Sequence, residues 1–266
     1  MNKCKSKDDT DIYYEVLGDG DITLCFVSGA GGILEHWELQ HSFGEKYKLI
    51  LPDLGGHGKS AKTKRSKFTM KAFGEDIAAV LQAEDLHKII LIGWSMGGPI
   101  ILEAERILKD RVIGVIGIDT FFPYPGSLYT ENSKDETELI MDDFRGDTRN
   151  KIITMYIKIM NKGIKVSEEI QKELLQFPII KSEVFLSELE ELCYWDIMPF
   201  LENLQIPIKA IVGGLSEPSE TQREIFKLKI DTIFMEGYGH NLFWAGHESF
   251  NNHLQQMISD ILSNAK

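Results

Sequence analysis

The run Lys88-Ile89-Ile90-Leu91-Ile92-Gly93 constrains this chain more than any other segment. Its apolar residues follow one another without alternation, so neither face is left for water. A strand of that kind is buried on both sides, as in a parallel sheet covered by helices. The run is too short for a buried helix and is rich in β-branched residues, which favours the strand. A sheet with helices on both faces is the architecture it demands.

The rest of the chain fits that demand. Residues 12–17 and 22–28 read as strands joined by the turn Gly18-Asp19-Gly20, and 48–51 as a short strand closed by Pro52. Residues 69–83 place Phe73, Ile77, Val80 and Leu81 at helical spacing. Further strands are expected at 112–118, 208–212 and 232–235, and helices at 99–108 and 247–262. Strand-helix alternation predicts an α/β fold with a mostly parallel central sheet flanked by helices. One stretch breaks the pattern. Residues 120–199 show no strand, many helix formers, acidic clusters such as 188–191, and many aromatics. This is too long for a simple loop and is read as a helical cap inserted after the strand that ends at Asp119. The expected organisation is a core of 1–119 and 200–266 with a cap of 120–199.

Composition excludes several classes. Lys plus Arg number 29 and Asp plus Glu 41, a net charge of −12. A nucleic-acid surface needs clustered positive charge, and so does docking on anionic lipid. An apolar content of 43% is too high for disorder. Cys4, Cys25 and Cys193 are scattered, form no CxxC pair and are odd in number, which favours a reducing compartment and a cytoplasmic location. Residues 1–10 are polar and lack the apolar centre of an export signal. No run approaches the roughly 18 apolar residues of a membrane span.

The chemistry is carried by Gly93-Trp94-Ser95-Met96-Gly97, directly after the buried strand and before the expected helix. A sharp strand-to-helix turn lifts the Ser95 hydroxyl clear of the sheet, and glycines relieve the crowding around it. The Met96 amide then lies at a helix N-terminus, where negative charge is favoured. A nucleophilic serine needs a base, for which 7 histidines compete. His36 and His41 fall in a helical stretch, His87 precedes the elbow strand, and His247 and His253 sit on the closing helix. His57 lies in a glycine loop. His240, in Gly237-Tyr238-Gly239-His240-Asn241, follows the last strand at the sheet edge where open α/β sheets place their sites.

With these features the chain resembles the α/β-hydrolases, in the cap-bearing group of serine esterases, lactonases and cofactor-free perhydrolases. The likeness runs from about Asp9 to Leu262. Asp53-Leu54-Gly55-Gly56-His57-Gly58-Lys59-Ser60 is similar to that family's D-x-x-G-H-G-x-S loop, which implies a structural role for His57 and Ser60. Ser28-Gly29-Ala30-Gly31-Gly32 is similar to its oxyanion loop, with serine in place of the usual histidine at 28. The resemblance implies backbone amides of Ala30 and Met96 as oxyanion donors. The acid departs from the common pattern. The usual G-x-x-D turn reads Gly213-Gly214-Leu215-Ser216-Glu217, with serine where the aspartate is expected. Two carboxylates remain, Asp119 at the end of a buried strand and the displaced Glu217, and Asp119 is preferred.

The reading is a serine hydrolase of a small carboxylic ester, with Ser95, His240 and Asp119 as its triad and neither metal nor organic cofactor. Trp94, Phe121 and Phe122 are expected to line the substrate site. Carbon–carbon bond cleavage and perhydrolysis by the same triad are the enzymatic alternatives. A ligand-binding or signalling protein on this scaffold is the third, supported by the weakened turn. Serine at the elbow argues against the carboxylate-nucleophile dehalogenases and epoxide hydrolases.

Overall fold

The computed structural model describes residues 1–121, 138–139, 142, 180–216 and 229–264. Within them lies an eight-stranded sheet: β1 (Asn2–Lys5), β2 (Asp11–Leu17), β3 (Thr23–Val27), β4 (Lys48–Pro52), β5 (Ile89–Trp94), β6 (Val112–Ile118), β7 (Ile208–Gly213) and β8 (Asp231–Met235). The strand order is β1-β2-β4-β3-β5-β6-β7-β8. β1 and β2, and β2 and β4, pair antiparallel, and every pairing from β4 onward is parallel.

The apolar run forms β5, and its residues divide by parity between two cores. Ile89 and Leu91 join Ile12, Cys25, Val27, Ile50, Val115 and Val212 on one face. That face is covered by α1 (Met70–Ala83) and α2 (Gly97–Leu108), which contribute Phe73, Ile77, Leu81, Ile100 and Leu102. Ile90 and Ile92 face the opposite way, with Leu24, Phe26, Leu49, Ile116 and Ile211. Trp37, Phe43 and the closing helix α5 (His247–Asn264) cover this side through Phe250, Leu254, Met257 and Ile258. Thr69 caps α1 by accepting from the Ala72 amide at 3.0 Å. Gly114 lets α5 approach the sheet, since a Cβ there would stand 2.8 Å from Ile261 Cδ1.

Two elements differ from expectation. The turn at Gly18-Asp19-Gly20 joins strands that are not neighbours, because β4 lies between β2 and β3. Its glycines serve close approach: a Cβ on Gly20 would lie 2.7 Å from Tyr47 Cα. β1 carries no apolar pattern. It is held by pairing with β2, with Lys3 and Lys5 at 3.6 and 3.1 Å from Asp11.

Of the helical cap expected over 120–199, the structure describes Thr120, Phe121, residues 138–139 and 142, and everything from Ile180 onward; the remainder lies outside the described residues. Helix α3 (Ser182–Tyr194) inserts Val184, Phe185 and Leu192 into the core on the α1 and α2 side, and α4 (Met198–Asn203) adds Phe200. No described helix is long and apolar enough to cross a membrane.

His36 is buried in the 3-10 helix Leu34–Glu45, where its Nδ1 accepts from the Ile33 amide at 3.3 Å. A neutral ring is needed to accept there, and burial pushes its pKa down from 6.5 to about 4. The unfolded chain therefore takes up this proton first. The stability His36 contributes is complete above about pH 6.5 and is lost as pH falls toward about 4, by up to about 3 kcal/mol. His36→Gln keeps an acceptor but does not titrate. Its Tm should fall less than the wild-type Tm between about pH 7 and about pH 4.5, measured by thermal melts.

Candidate active site

Ser95 sits between β5 and α2 with φ of 54°, a left-handed backbone that a side chain disfavours. Its neighbours hold it there. The Ser95 amide donates to the Ile118 carbonyl of β6 at 3.0 Å, and its carbonyl accepts from the Gly98 amide at 3.0 Å and from Thr120 Oγ1 at 2.6 Å. Gly93 leaves room for the turn, since a Cβ there would stand 2.5 Å from the Gly97 carbonyl carbon. Thr120 carries no pattern that would mark it in the sequence.

Asp119 and Phe121, at the end of β6, are also left-handed, with φ of 43° and 66°. Each such residue costs of order 1–3 kcal/mol, and their gathering at one sheet edge is typical of functional sites. Asp119 is 1% exposed and uses both carboxylate oxygens. Oδ1 accepts from the Gly213 amide at 2.9 Å, and Oδ2 lies 2.5 Å from His240 Nδ1. The Asp119 amide donates to the Ile211 carbonyl at 2.8 Å. The last residue of β7, just before the turn that lacks the usual aspartate, thus supplies the amide that orients Asp119. Glu217 lies outside the described residues.

The His240 loop is seated on the same turn. Gly237 has φ of 81°, and the Leu215 amide donates to the Tyr238 carbonyl at 3.0 Å. Trp94 holds the loop from below: its Nε1 donates to the His240 carbonyl at 2.9 Å, and the two rings are 5.3 Å apart. The imidazole itself is partly exposed, at 22% of its side chain.

The loop after β3 passes directly over the serine. A Cβ on Gly29 would lie 2.8 Å from Ser95 Cβ and 3.4 Å from its Oγ. Ser28 braces the loop: its hydroxyl donates to the Ile33 carbonyl at 3.1 Å and accepts from Trp37 Nε1 at 2.9 Å. Ala30 follows Gly29, and Met96 is the N-cap residue of α2.

Two of the residues expected to line the substrate site face the wrong way. Trp94 is 2% exposed and extends the Ile90 and Ile92 row into the core beside α5, against Phe243 and His36. Phe121 is fully buried and folds back over Gly117, whose added Cβ would meet its Cδ2 at 2.6 Å. Neither side chain is open to a ligand. Phe122 lies outside the described residues. Asp53, in the glycine loop, is structural: it accepts from the Leu34 and Lys59 amides at 2.9 and 2.8 Å. No group of three or more His, Cys, Asp or Glu arranged to hold a metal occurs among the described residues.

Comparison with known proteins agrees with this architecture. Residues 22–149 match the family described as the alpha/beta hydrolase fold. The pimeloyl-[acyl-carrier protein] methyl ester esterase of Serratia marcescens is 22% identical over 95% of this chain and 97% of its own length. A 34% identity to the dihydrolipoyllysine-residue acetyltransferase component of the acetoin cleaving system of Pseudomonas putida covers 38% of this chain and spans only 27% of that protein. Among solved structures, a thermophilic esterase from Thermogutta terrifontis superposes with a TM-score of 0.82 at 20% identity, over 98% of this chain and 99% of that one.

The approach of Gly29 to Ser95 gives a direct test of the loop. Gly29→Ala drives a methyl group against Ser95 and displaces the loop, so labelling of Ser95 by a fluorophosphonate should slow about 10-fold or more. Circular dichroism should show the fold intact.

Proposed function

The chain is an α/β-hydrolase by fold, and from that premise we propose that it is a serine hydrolase of small carboxylic esters. The observation that carries the reading is the Asp119–His240 contact of 2.5 Å, built beside a left-handed Ser95. In this reading Ser95 Oγ attacks the acyl carbon while His240 Nε2 takes its proton. Asp119 holds the Nδ1–H tautomer and stabilises the imidazolium. The amides of Ala30 and Met96 receive the tetrahedral oxyanion, with the N-terminus of α2 favouring its charge. The alcohol leaves with the proton from His240, and water then releases the acid from Ser95 by the same steps in reverse.

The assignment of 120–199 as a cap over this edge belongs to the same reading. It is supported by the way α3 packs back onto the core from that insertion. The alternative of a ligand-binding or signalling protein with slow turnover rested on the missing aspartate of the β7 turn. An acid reaching His240 from β6 removes that support.

Two experiments test the proposal. With a panel of p-nitrophenyl esters, Ser95→Ala should lower kcat/KM by about 10⁴-fold or more while keeping the wild-type circular dichroism. Retention of a tenth of the activity overturns the nucleophile. Asp119→Asn should lower kcat by about 10⁴-fold and Glu217→Gln by less than about 10-fold. The reverse order would assign the acid to Glu217.

A further inference from the structure

Thr120 takes no part in the proton transfers proposed above, yet its hydroxyl is directed at the nucleophile turn. β5 and β6 run parallel with Trp94 opposite Ile118, so the residues after them leave the sheet side by side. Thr120 is fully buried. A buried hydroxyl needs a partner, and a threonine commonly finds one on its own stretch of backbone. Thr120 instead reaches 25 residues back along the chain, where its Oγ1 donates to the Ser95 carbonyl at 2.6 Å. Its methyl group is clamped. A Cβ on Gly98 would lie 2.5 Å from Thr120 Cγ2, and one on Gly117 would lie 2.7 Å from it. A β-branched side chain held this way keeps one rotamer, so the hydroxyl has one direction.

The Ser95 carbonyl belongs to the same peptide unit as the Met96 amide. That unit is planar and trans, so its C=O and N–H point opposite ways. Whatever fixes the carbonyl therefore aims the N–H. Two donors approach this carbonyl: the Gly98 amide at 3.0 Å from inside α2, and the Thr120 hydroxyl from the end of β6. The Gly98 bond alone would let the unit rock about the line joining its two Cα atoms. A second donor from another element stops that motion. Met96 has helical angles, φ of −54° and ψ of −24°, so its N–H stands at the open end of α2.

We propose that Thr120 is a positioning residue for the oxyanion hole: its hydroxyl holds the Ser95–Met96 peptide so that the Met96 amide faces the developing oxyanion. The proposal rests on the assignment of Met96 to that hole. It gives the end of β6 two duties, since Asp119 faces the base and the next residue sets one of the donors. A donor displaced by a fraction of an ångström binds the tetrahedral state less well and changes little in the binding of the ester itself. The effect therefore falls on kcat.

The test compares the wild type with Thr120→Val, which keeps the shape and removes the hydroxyl, and with Thr120→Ser, which keeps the hydroxyl. It reads kcat and KM on a p-nitrophenyl ester. It also follows the Met96 amide proton by NMR as phenylboronic acid is added, which forms a tetrahedral anion on a nucleophilic serine. Thr120→Val should lower kcat about 10- to 100-fold with KM changed less than about 3-fold, and Thr120→Ser should recover kcat to within about 3-fold of the wild type. The boronate should move the Met96 proton downfield in the wild type and in Thr120→Ser, and by less than about half as much in Thr120→Val. Wild-type kcat or a full boronate shift in Thr120→Val overturns the proposal. So does an equal loss in Thr120→Ser, which assigns the effect to the methyl group, and so does failure of Thr120→Val to fold by circular dichroism, which assigns the hydroxyl to folding. If the wild type cleaves no ester, the function proposed above fails, and the boronate shift by itself decides the role of Thr120. A wild type whose Met96 proton does not respond overturns the place of Met96 in the hole and this proposal with it.

Discussion

The candidate site depends on a single carboxylate that bridges two parts of the chain. Asp119 ends β6, receives the Gly213 amide of β7 on one oxygen and faces His240 with the other. Without it, the loop after β8 would still be tethered by Trp94 and the Tyr238 carbonyl, but the imidazole would lose the carboxylate that faces its Nδ1. A carboxylate that satisfies a buried amide is itself fixed in direction, so the same bond that removes an unpaired N–H also aims the acid. With the carboxylate that faces His240 coming from β6, the end of β7 serves as a rigid donor to it.

Strain at this edge is paired with restraint. Ser95, Asp119 and Phe121 adopt backbone angles that few side chains tolerate. Each is over-determined by the sheet: the Ser95 amide reaches β6, the Asp119 amide reaches β7, and Phe121 is wedged over Gly117. Parallel strands supply these bonds because their carboxyl ends lie level. An unfavourable local geometry can thus be kept without flexibility.

Much of this was legible in the sequence, and the exceptions have physical causes. The unbroken run of β5 could only be a doubly buried strand, and the glycines around Ser95 could only serve a crowded turn. His240 stood out because it followed the last strand on a glycine-rich loop. Asp119 was legible as a strand end at the correct edge, although its partner amide at Gly213 was not, because a backbone donor leaves no mark on residue type. Trp94 and Phe121 were misread as walls of a pocket. For Trp94 the correction was available from parity: Ile90, Ile92 and Trp94 share one face of β5, and that face belongs to the core beside α5. For Phe121 the cause is the left-handed turn before it, which sends the ring backward and which no periodicity reveals. β1 was invisible because its residues are polar and its stability comes from pairing. Glu188 lay hidden in an acidic cluster whose other members give no hint that one of them is buried.

The polar character of β1 has a consequence for how these molecules meet one another. The sheet must end somewhere, and an open border of backbone amides and carbonyls invites a strand from a neighbouring molecule. At this border stand Lys3 and Lys5, more than half exposed and drawn toward Asp11 on the strand inside. An incoming strand would have to strip water from those ammonium groups and would bring a second set of like charges beside them. The least hydrophobic strand of the sheet thus guards its rim, and at high protein concentration it opposes growth into fibres edge by edge.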